Sequence, residues 1–151
     1  MAAKTPRSTR LHETISALLN AREQRLTPTR RHIVDVLDAA DRPLTIPEIL
    51  EARPELAQSS AYRNLVVLEQ ARVVHRLVTH ADFARYELAE DLTGHHHHLV
   101  CSNCGRVEDL AATVAVERSV AIAIDEAERR TGFRTEHHRL DLVGLCSDCT
   151  G

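Results

Sequence analysis

His95-His96-His97-His98-Leu99-Val100-Cys101-Ser102-Asn103-Cys104 is the stretch on which the reading of this chain turns. Four imidazoles run into a Cys-x-x-Cys pair, and packing alone does not account for so many metal-ligand side chains together. In an extended strand successive side chains point to opposite faces, so His95 and His97 share one face and His96 and His98 the other. The run can therefore feed two sites with two ligands each. Leu99 to Cys101 continues as a strand, Asn103-Cys104-Gly105 makes a tight turn, and Arg106 to Leu110 forms the returning strand.

Working outward toward the C-terminus, Val116, Val120, Ile124 and Ala127 recur on one face of a helix predicted from Thr113 to about Arg130, with Gly132 as its C-cap. Thr135 to Val143 alternates as a strand, and Cys146-Ser147-Asp148-Cys149 nearly closes the chain. Cys101, Cys104, Cys146 and Cys149 thus form Cys-x2-Cys-x41-Cys-x2-Cys. Each pair can put two thiolates on one cation, and four thiolates in a tetrahedron suit Zn²⁺. A redox dithiol would need a thioredoxin-like context, which neither pair has. A β-α-β unit with so little apolar surface needs a staple, a partner subunit, or both.

Toward the N-terminus the pattern becomes helical. Leu11, Ile15, Leu18 and Leu19 predict an amphipathic helix from Thr9 to Arg25. Thr27-Pro28-Thr29 opens a second, with Pro where its missing N–H costs nothing, carrying Ile33, Val34, Val36 and Leu37 and ending near Ala40. Thr45-Ile46-Pro47-Glu48 has the form of a capping box for a short third helix that stops before Pro54. Ser59 or Ser60 is expected to cap a fourth, through Tyr62, Leu65, Leu68 and Glu69. Val73–Val78 and Phe83–Leu88 then alternate as two strands around His80-Ala81-Asp82. Short helices closed by a β-hairpin are the winged-helix pattern, in which the fourth helix enters the major groove. Ser60, Tyr62, Arg63 and Asn64 lie near its N-terminus, where base-reading side chains cluster.

The charge distribution agrees. Residues 1–80 hold 12 Lys/Arg against 9 Asp/Glu and residues 81–151 hold 7 against 13, which splits the net −3 into about +3 and −6. A local positive face suffices for DNA even when the whole chain is acidic. No apolar run approaches the ~20 residues of a membrane span and the polar start lacks a signal-peptide core, so a cytoplasmic, non-membrane protein is expected. In a reducing compartment paired cysteines point to metal and not to disulfides. Candidate partners for the histidines are His75, Glu87, Asp91, Glu117, His137 and His138. Nitrogen and oxygen donors without thiolate fit Fe²⁺, Mn²⁺, Zn²⁺ or Ni²⁺.

Taken together, Thr27-Pro28-Thr29-Arg30, Ser60-Ala61-Tyr62-Arg63-Asn64-Leu65, Tyr86-Glu87-Leu88, the histidine run into Cys101-Ser102-Asn103-Cys104-Gly105, and Cys146-Ser147-Asp148-Cys149 make the chain resemble the ferric-uptake-regulator (Fur) family over nearly its whole length. The resemblance implies an α+β protein: an N-terminal winged-helix DNA-binding domain (1–88, with hairpin wing and hinge) and a small α/β metal-binding dimerisation domain (89–151). It implies a homodimeric transcriptional repressor that binds palindromic double-stranded operator DNA when metal-loaded and controls metal uptake or homeostasis genes. By position, the four cysteines match the family's structural zinc ligands. His96 and His98, with Glu87, match its regulatory site, and His95, His97, Glu117 and His138 resemble an additional site. Tyr62 and Arg63 match recognition-helix contacts, with Ser60 where many members carry Thr.

Two departures bear on the metal. Many members supply a regulatory His just before the third helix, where this chain has Pro43 or Leu44. Zinc-sensing relatives often use an acidic residue at the start of the hairpin and a Cys shortly after the Tyr86 position, where this chain has His75 and Ala89. The expected regulatory set is therefore His75, Glu87, His96 and His98, for Fe²⁺ or Zn²⁺ ahead of Mn²⁺ or Ni²⁺. Arg30, Arg31 and the arginines of the first helix are expected on phosphates. A peroxide-sensing member of the same family is the alternative, and a metal buffer or chaperone that never touches DNA is a further one. A zinc hydrolase or deaminase would need a placed general base, and neither His-Glu-x-x-His nor His-x-Glu with a downstream Cys pair occurs, so no catalytic residue is expected.

Overall fold

Ile15 and Leu19 are fully buried on the first helix, α1 (Pro6–Asn20), and belong to the apolar core of the N-terminal half. In the computed structural model, which describes residues 6–78 and 84–151, the chain divides into two units, Met1–Gly94 and His95–Gly151.

In the first unit α1 is followed by α2 (Pro28–Ala39), β1 (Leu44–Thr45), α3 (Ile46–Ala52), α4 (Gln58–Gln70), β2 (Val74–Val78), β3 (Ala84–Leu88) and the short α5 (Glu90–Thr93). The start of α2 is set by Thr27, whose hydroxyl accepts the Arg30 N–H, with Pro28 in the first turn. A reciprocal capping box starts α3: the Thr45 hydroxyl accepts the Glu48 N–H, and the Glu48 carboxylate accepts the Thr45 N–H at 2.7 Å. Ile33, Val34 and Leu37 of α2, Ile46 and Ile49 of α3, Ala61, Leu65 and Leu68 of α4, and Val73, Val74, Tyr86 and Leu88 around the sheet close one apolar core. The sheet is antiparallel in the order β1-β3-β2, with His75 opposite Glu87.

Several boundaries differ from the sequence expectation. α1 begins at Pro6 and stops at Asn20, five residues short of Arg25, because Glu23 turns left-handed (φ 56) and the Gln24 N–H returns to the Leu19 carbonyl at 2.9 Å. Glutamate occupies the position where glycine usually marks such an ending. Neither Ser59 nor Ser60 caps α4: Ala57 is the cap without a side-chain bond, and its carbonyl accepts from Ser60 and Ala61. The two-residue β1 exists only through its pairing with β3, which periodicity does not reveal. Phe83 and the expected turn at His80-Ala81-Asp82 lie outside the described residues.

In the second unit β4 (His96–Cys101), β5 (Val107–Ala111), α6 (Val114–Thr131) and β6 (Asp141–Gly144) form a sheet in the order β5-β4-β6 beneath one helix. β4 and β5 are an antiparallel hairpin joined through the Cys-x-x-Cys turn, with Gly105 at φ 70. α6 starts at Thr113, whose hydroxyl accepts the Val116 N–H, and ends at left-handed Gly132. It then lets β6 pair parallel to β4. The strand expected from Thr135 is only Asp141–Gly144. No residue of α6 is buried. Ile122 and Phe133 are 63% and 69% exposed, and Leu142, Val143 and Leu145 are exposed on and beyond β6. Apolar surface of that kind marks a unit that buries itself against a partner.

Candidate metal centre and nucleic-acid interface

β4 carries ligands for more than one centre because of its pleat and its neighbours. Parallel pairing sets Cys101 beside Gly144, so the turn after β6 brings Cys146 and Cys149 to the turn after β4. One sulfur from each of Cys101, Cys104, Cys146 and Cys149 lies within 4.8 Å of the others. Cys104 and Cys146 Sγ are 3.7 Å apart and none of the four is in a disulfide. A tetrahedron of ~2.3 Å Zn–S bonds has corners about 3.8 Å apart, so the spacing and the donor type both fit Zn²⁺. Hydrogen bonds orient the sulfurs further: the Cys146 N–H donates to Cys101 Sγ at 3.4 Å and Asn103 Nδ2 to Cys149 Sγ at 3.3 Å. Backbone N–H groups of Cys104 and Cys146 draw the Cys101 thiol down to about 6. Burial, then the thiols of Cys149, Cys101 and Cys104, push Cys146 up to about 12. The cluster accepts its first negative charge readily and resists the last, and a divalent cation removes that resistance.

On one face of the strand, His95, His97, Glu117 and His138 converge, each offering an atom within 4.8 Å of the rest. His97 Nε2 lies 2.7 Å from Glu117 Oε1, His138 Nε2 lies 3.3 Å from Glu117 Oε2, and His95 Nε2 lies 3.0 Å from His138 Nε2. His97 is 1% exposed and its Nδ1 is buried without a hydrogen-bond partner among the described residues. Burying such a group costs ~1–3 kcal/mol, which packing alone does not justify. The hydrogen bond from His97 holds the Glu117 carboxyl below its ordinary value; burial opposes this, and the His138 and His95 rings add to it. Three imidazoles and one ionised carboxylate are the donor set of a borderline divalent cation.

The other face holds His96 and His98, with ring centroids 5.0 Å apart, and Asp109, which β5 places opposite His98. One ligand atom from each lies within 4.8 Å of the others. His98 is buried, and its Nδ1 lies 3.3 Å from Asp141 Oδ1, a carboxylate contact that fixes ring orientation. Asp109 and Asp141 were not among the sequence candidates; strand pairing brings them in. In the first unit His75 Nδ1 lies 3.2 Å from Glu87 Oε1 across β2 and β3, and Glu87 is buried. Asp91 and His137 join none of these groups among the described residues.

On α4, Tyr62 is 51% exposed, Arg63 and Val66 are exposed with it, and the core lies behind them. Ser60 is half-buried. Arg30 is half-buried and hydrogen-bonded to Asn64. An exposed aromatic and guanidinium on the second helix of a helix-turn-helix pair suit a DNA groove.

A winged helix with such a face, joined to a β-α-β unit rich in His and Cys ligands, defines a metal-binding member of the DNA-binding proteins. A profile of the "Ferric uptake regulator family" matches residues 21–143, and the chain belongs to that family. It is 31% identical to the ferric uptake regulation protein of Bacillus subtilis, over 91% of this chain and 93% of that one. To the peroxide operon regulator of the same organism it is 29% identical, over 92% and 94%. The solved structure of the Helicobacter pylori ferric uptake regulator, described as having three functional metal binding sites, matches with a TM-score of 0.77 at 22% identity, covering 98% of this chain and 95% of that one; at that identity the likeness is one of fold. The chain is thus α+β, a winged-helix DNA-binding domain followed by a small α/β dimerisation domain.

Proposed function

We propose that this protein is a metal-dependent transcriptional repressor that works as a homodimer on palindromic operator DNA and controls metal uptake or homeostasis genes. The observation that carries the reading is β4, whose two faces and far end supply ligands to separate clusters in a chain that also exposes Tyr62 and Arg63 on a recognition-type helix. In this reading Cys101, Cys104, Cys146 and Cys149 hold structural Zn²⁺. His95, His97, Glu117 and His138 hold an additional cation. His96 and His98, with His75 and Glu87, hold the regulatory Fe²⁺ or Zn²⁺, with Asp109 as a further donor. The pairing of His75 with Glu87 in one unit and of His96 with His98 in the other supports that set. Binding of the regulatory cation selects the dimer whose two recognition helices stand about one DNA turn (~34 Å) apart. Coupling of ~1–3 kcal/mol suffices for a switch. Tyr62 and Arg63 read bases, Ser60 supports them, and arginines of α1 neutralise phosphates. No step in this reading is catalytic. Four free thiols support a cytoplasmic location, and among the described residues no helix is long and apolar enough to cross a membrane.

Replacing His96 and His98 together by Ala is expected to abolish metal-dependent operator binding while the dimer survives. A gel-shift titration in which the double variant keeps its metal response would sink the assignment. A second reading, peroxide sensing, is favoured by the likeness to the Bacillus subtilis peroxide operon regulator. Iron-loaded protein treated with peroxide should then gain the mass of one oxygen on His96 or His98 and release DNA, and manganese-loaded protein should not.

A further inference from the structure

Asn64 lies between the buried and exposed faces of α4, and its amide is held at both ends. Nδ2 donates to the Ser60 carbonyl at 2.8 Å and to Ser60 Oγ at 3.3 Å, while Oδ1 accepts from Arg30 Nε at 3.0 Å. That orientation alone satisfies both neighbours, since a guanidinium only donates and a carbonyl only accepts. The rest of the Arg30 fork is also committed. Nη1 donates to the Arg25 carbonyl at 2.6 Å and Nη2 to Gln24 Oε1 at 3.0 Å. Gln24 and Arg25 belong to the connection that follows left-handed Glu23. One half-buried side chain of α2 therefore ties the α1–α2 connection to the helix that carries Tyr62 and Arg63.

The geometry points to Arg30 as a positioning residue for DNA recognition, which fixes α4 through Asn64 and does not contact phosphate. A bidentate grip on phosphate needs two adjacent N–H groups on one edge of the fork, and each edge already serves protein acceptors. Asn64 acts in the same network: its amide braces the first turn of α4 and does not read a base. The inference rests on the DNA-binding reading above, and it separates two roles that charge alone confuses. A phosphate contact needs a positive charge, which lysine keeps. A brace needs a planar fork with three donors aimed at three acceptors, which lysine cannot reproduce.

The test uses the full-length, metal-loaded dimer, an operator selected with the wild type from a pool of random duplexes, and one unselected duplex, titrated from ~50 to ~200 mM salt. Arg30→Lys and Arg30→Ala are both expected to lose operator affinity about tenfold. Both should bind the unselected duplex within about twofold of wild type, with an unchanged salt slope. In Asn64→Ala protein, the Arg30→Ala change should cost little more, because the two side chains act as one unit. Wild-type affinity in Arg30→Lys, or a slope in Arg30→Ala shallower by ~0.9, makes Arg30 a phosphate contact and overturns the inference. A full additional loss in the Asn64→Ala background overturns it too. So does equal weakening on both duplexes with a lowered thermal midpoint, which marks a merely structural residue. If folded, metal-loaded wild type selects no operator, the DNA-binding reading itself falls before any variant is compared.

Discussion

The two units of this chain are stabilised by different chemistry. The first buries Ile15, Leu19, Ile33, Ile49, Leu65 and Leu68 completely, around a sheet and helices that cap themselves. Apart from Gly105 in the turn, the second buries only Cys101, Val107, His97 and His98, while its long helix α6 buries nothing. One is stabilised by removing apolar surface from water. The other is stabilised by ligand convergence and by whatever surface it shares with a second copy. The same composition rules that make the first unit an ordinary small domain leave the second dependent on what it binds.

Substitutions in either unit should separate the two kinds of stability. The largest effect is expected from Cys101→Ser. Structural zinc contributes on the order of 10 kcal/mol of folding free energy in small domains, so loss of one thiolate should release zinc, dissociate the dimer and unfold the second unit, while the first unit's helical signal persists. Metal analysis with sedimentation velocity and far-ultraviolet melting checks it, and a fully dimeric, zinc-replete mutant would contradict the assignment. Next comes Leu65→Ala, a cavity in the core of the first unit with an expected cost of ~2–5 kcal/mol. Here DNA binding and the stability of the first unit should fall while zinc content stays at wild-type level. A joint collapse of both properties would show that the units are not energetically separate.

A smaller effect should follow from His138→Ala. It should remove one equivalent of bound cation without touching the zinc of the four cysteines, as stepwise chelator titration would reveal. The smallest concerns Glu48. Burial pushes its carboxyl up, but hydrogen bonds from Arg42 and from the Thr45 backbone and hydroxyl outweigh this and hold it below its ordinary value of 4.5. A depressed carboxylate stabilises the fold above its unfolded-state value, and the contribution is lost as pH falls through the folded one. Glu48→Gln should therefore lower the thermal midpoint slightly at pH 7, and the difference from wild type should shrink as the solution is acidified below about 4.5. A difference that grows on acidification would mean that the Glu48 carboxyl is raised in the folded protein and not lowered.

What could be read before folding was whatever a residue states about its own neighbours in sequence. Thr27-Pro28, the Thr45–Glu48 box and the Thr113 to Gly132 span announce their helices because each cap acts over three or four residues. The four cysteines announce themselves because the spacing inside each pair already fits one cation. Other features depend on contacts distant in the chain. Asp109 and Asp141 reach the His96/His98 face only through the register of β4 with β5 and β6. The charge of Arg30 was legible, but its acceptors Asn64, Arg25 and Gln24 were not. The end of α1 at a left-handed glutamate violates the usual glycine rule, and periodicity ran past it.

The histidine run has one more consequence. Four identical residues carry little information about their own phase: sliding β4 by one position still presents imidazoles to both faces and puts a different histidine in all but one of the ligand positions. The phase is supplied from outside the run, by Cys101 at the far end of the strand, which must meet Cys146, and by Glu117, which accepts only the pair facing α6. The cysteine centre is thus also the alignment mark that tells identical histidines apart, and a single-residue insertion between His98 and Cys101 would move His96 and His98 into the positions of His95 and His97 and leave only His97 in the other pair, with every ligand still in the chain.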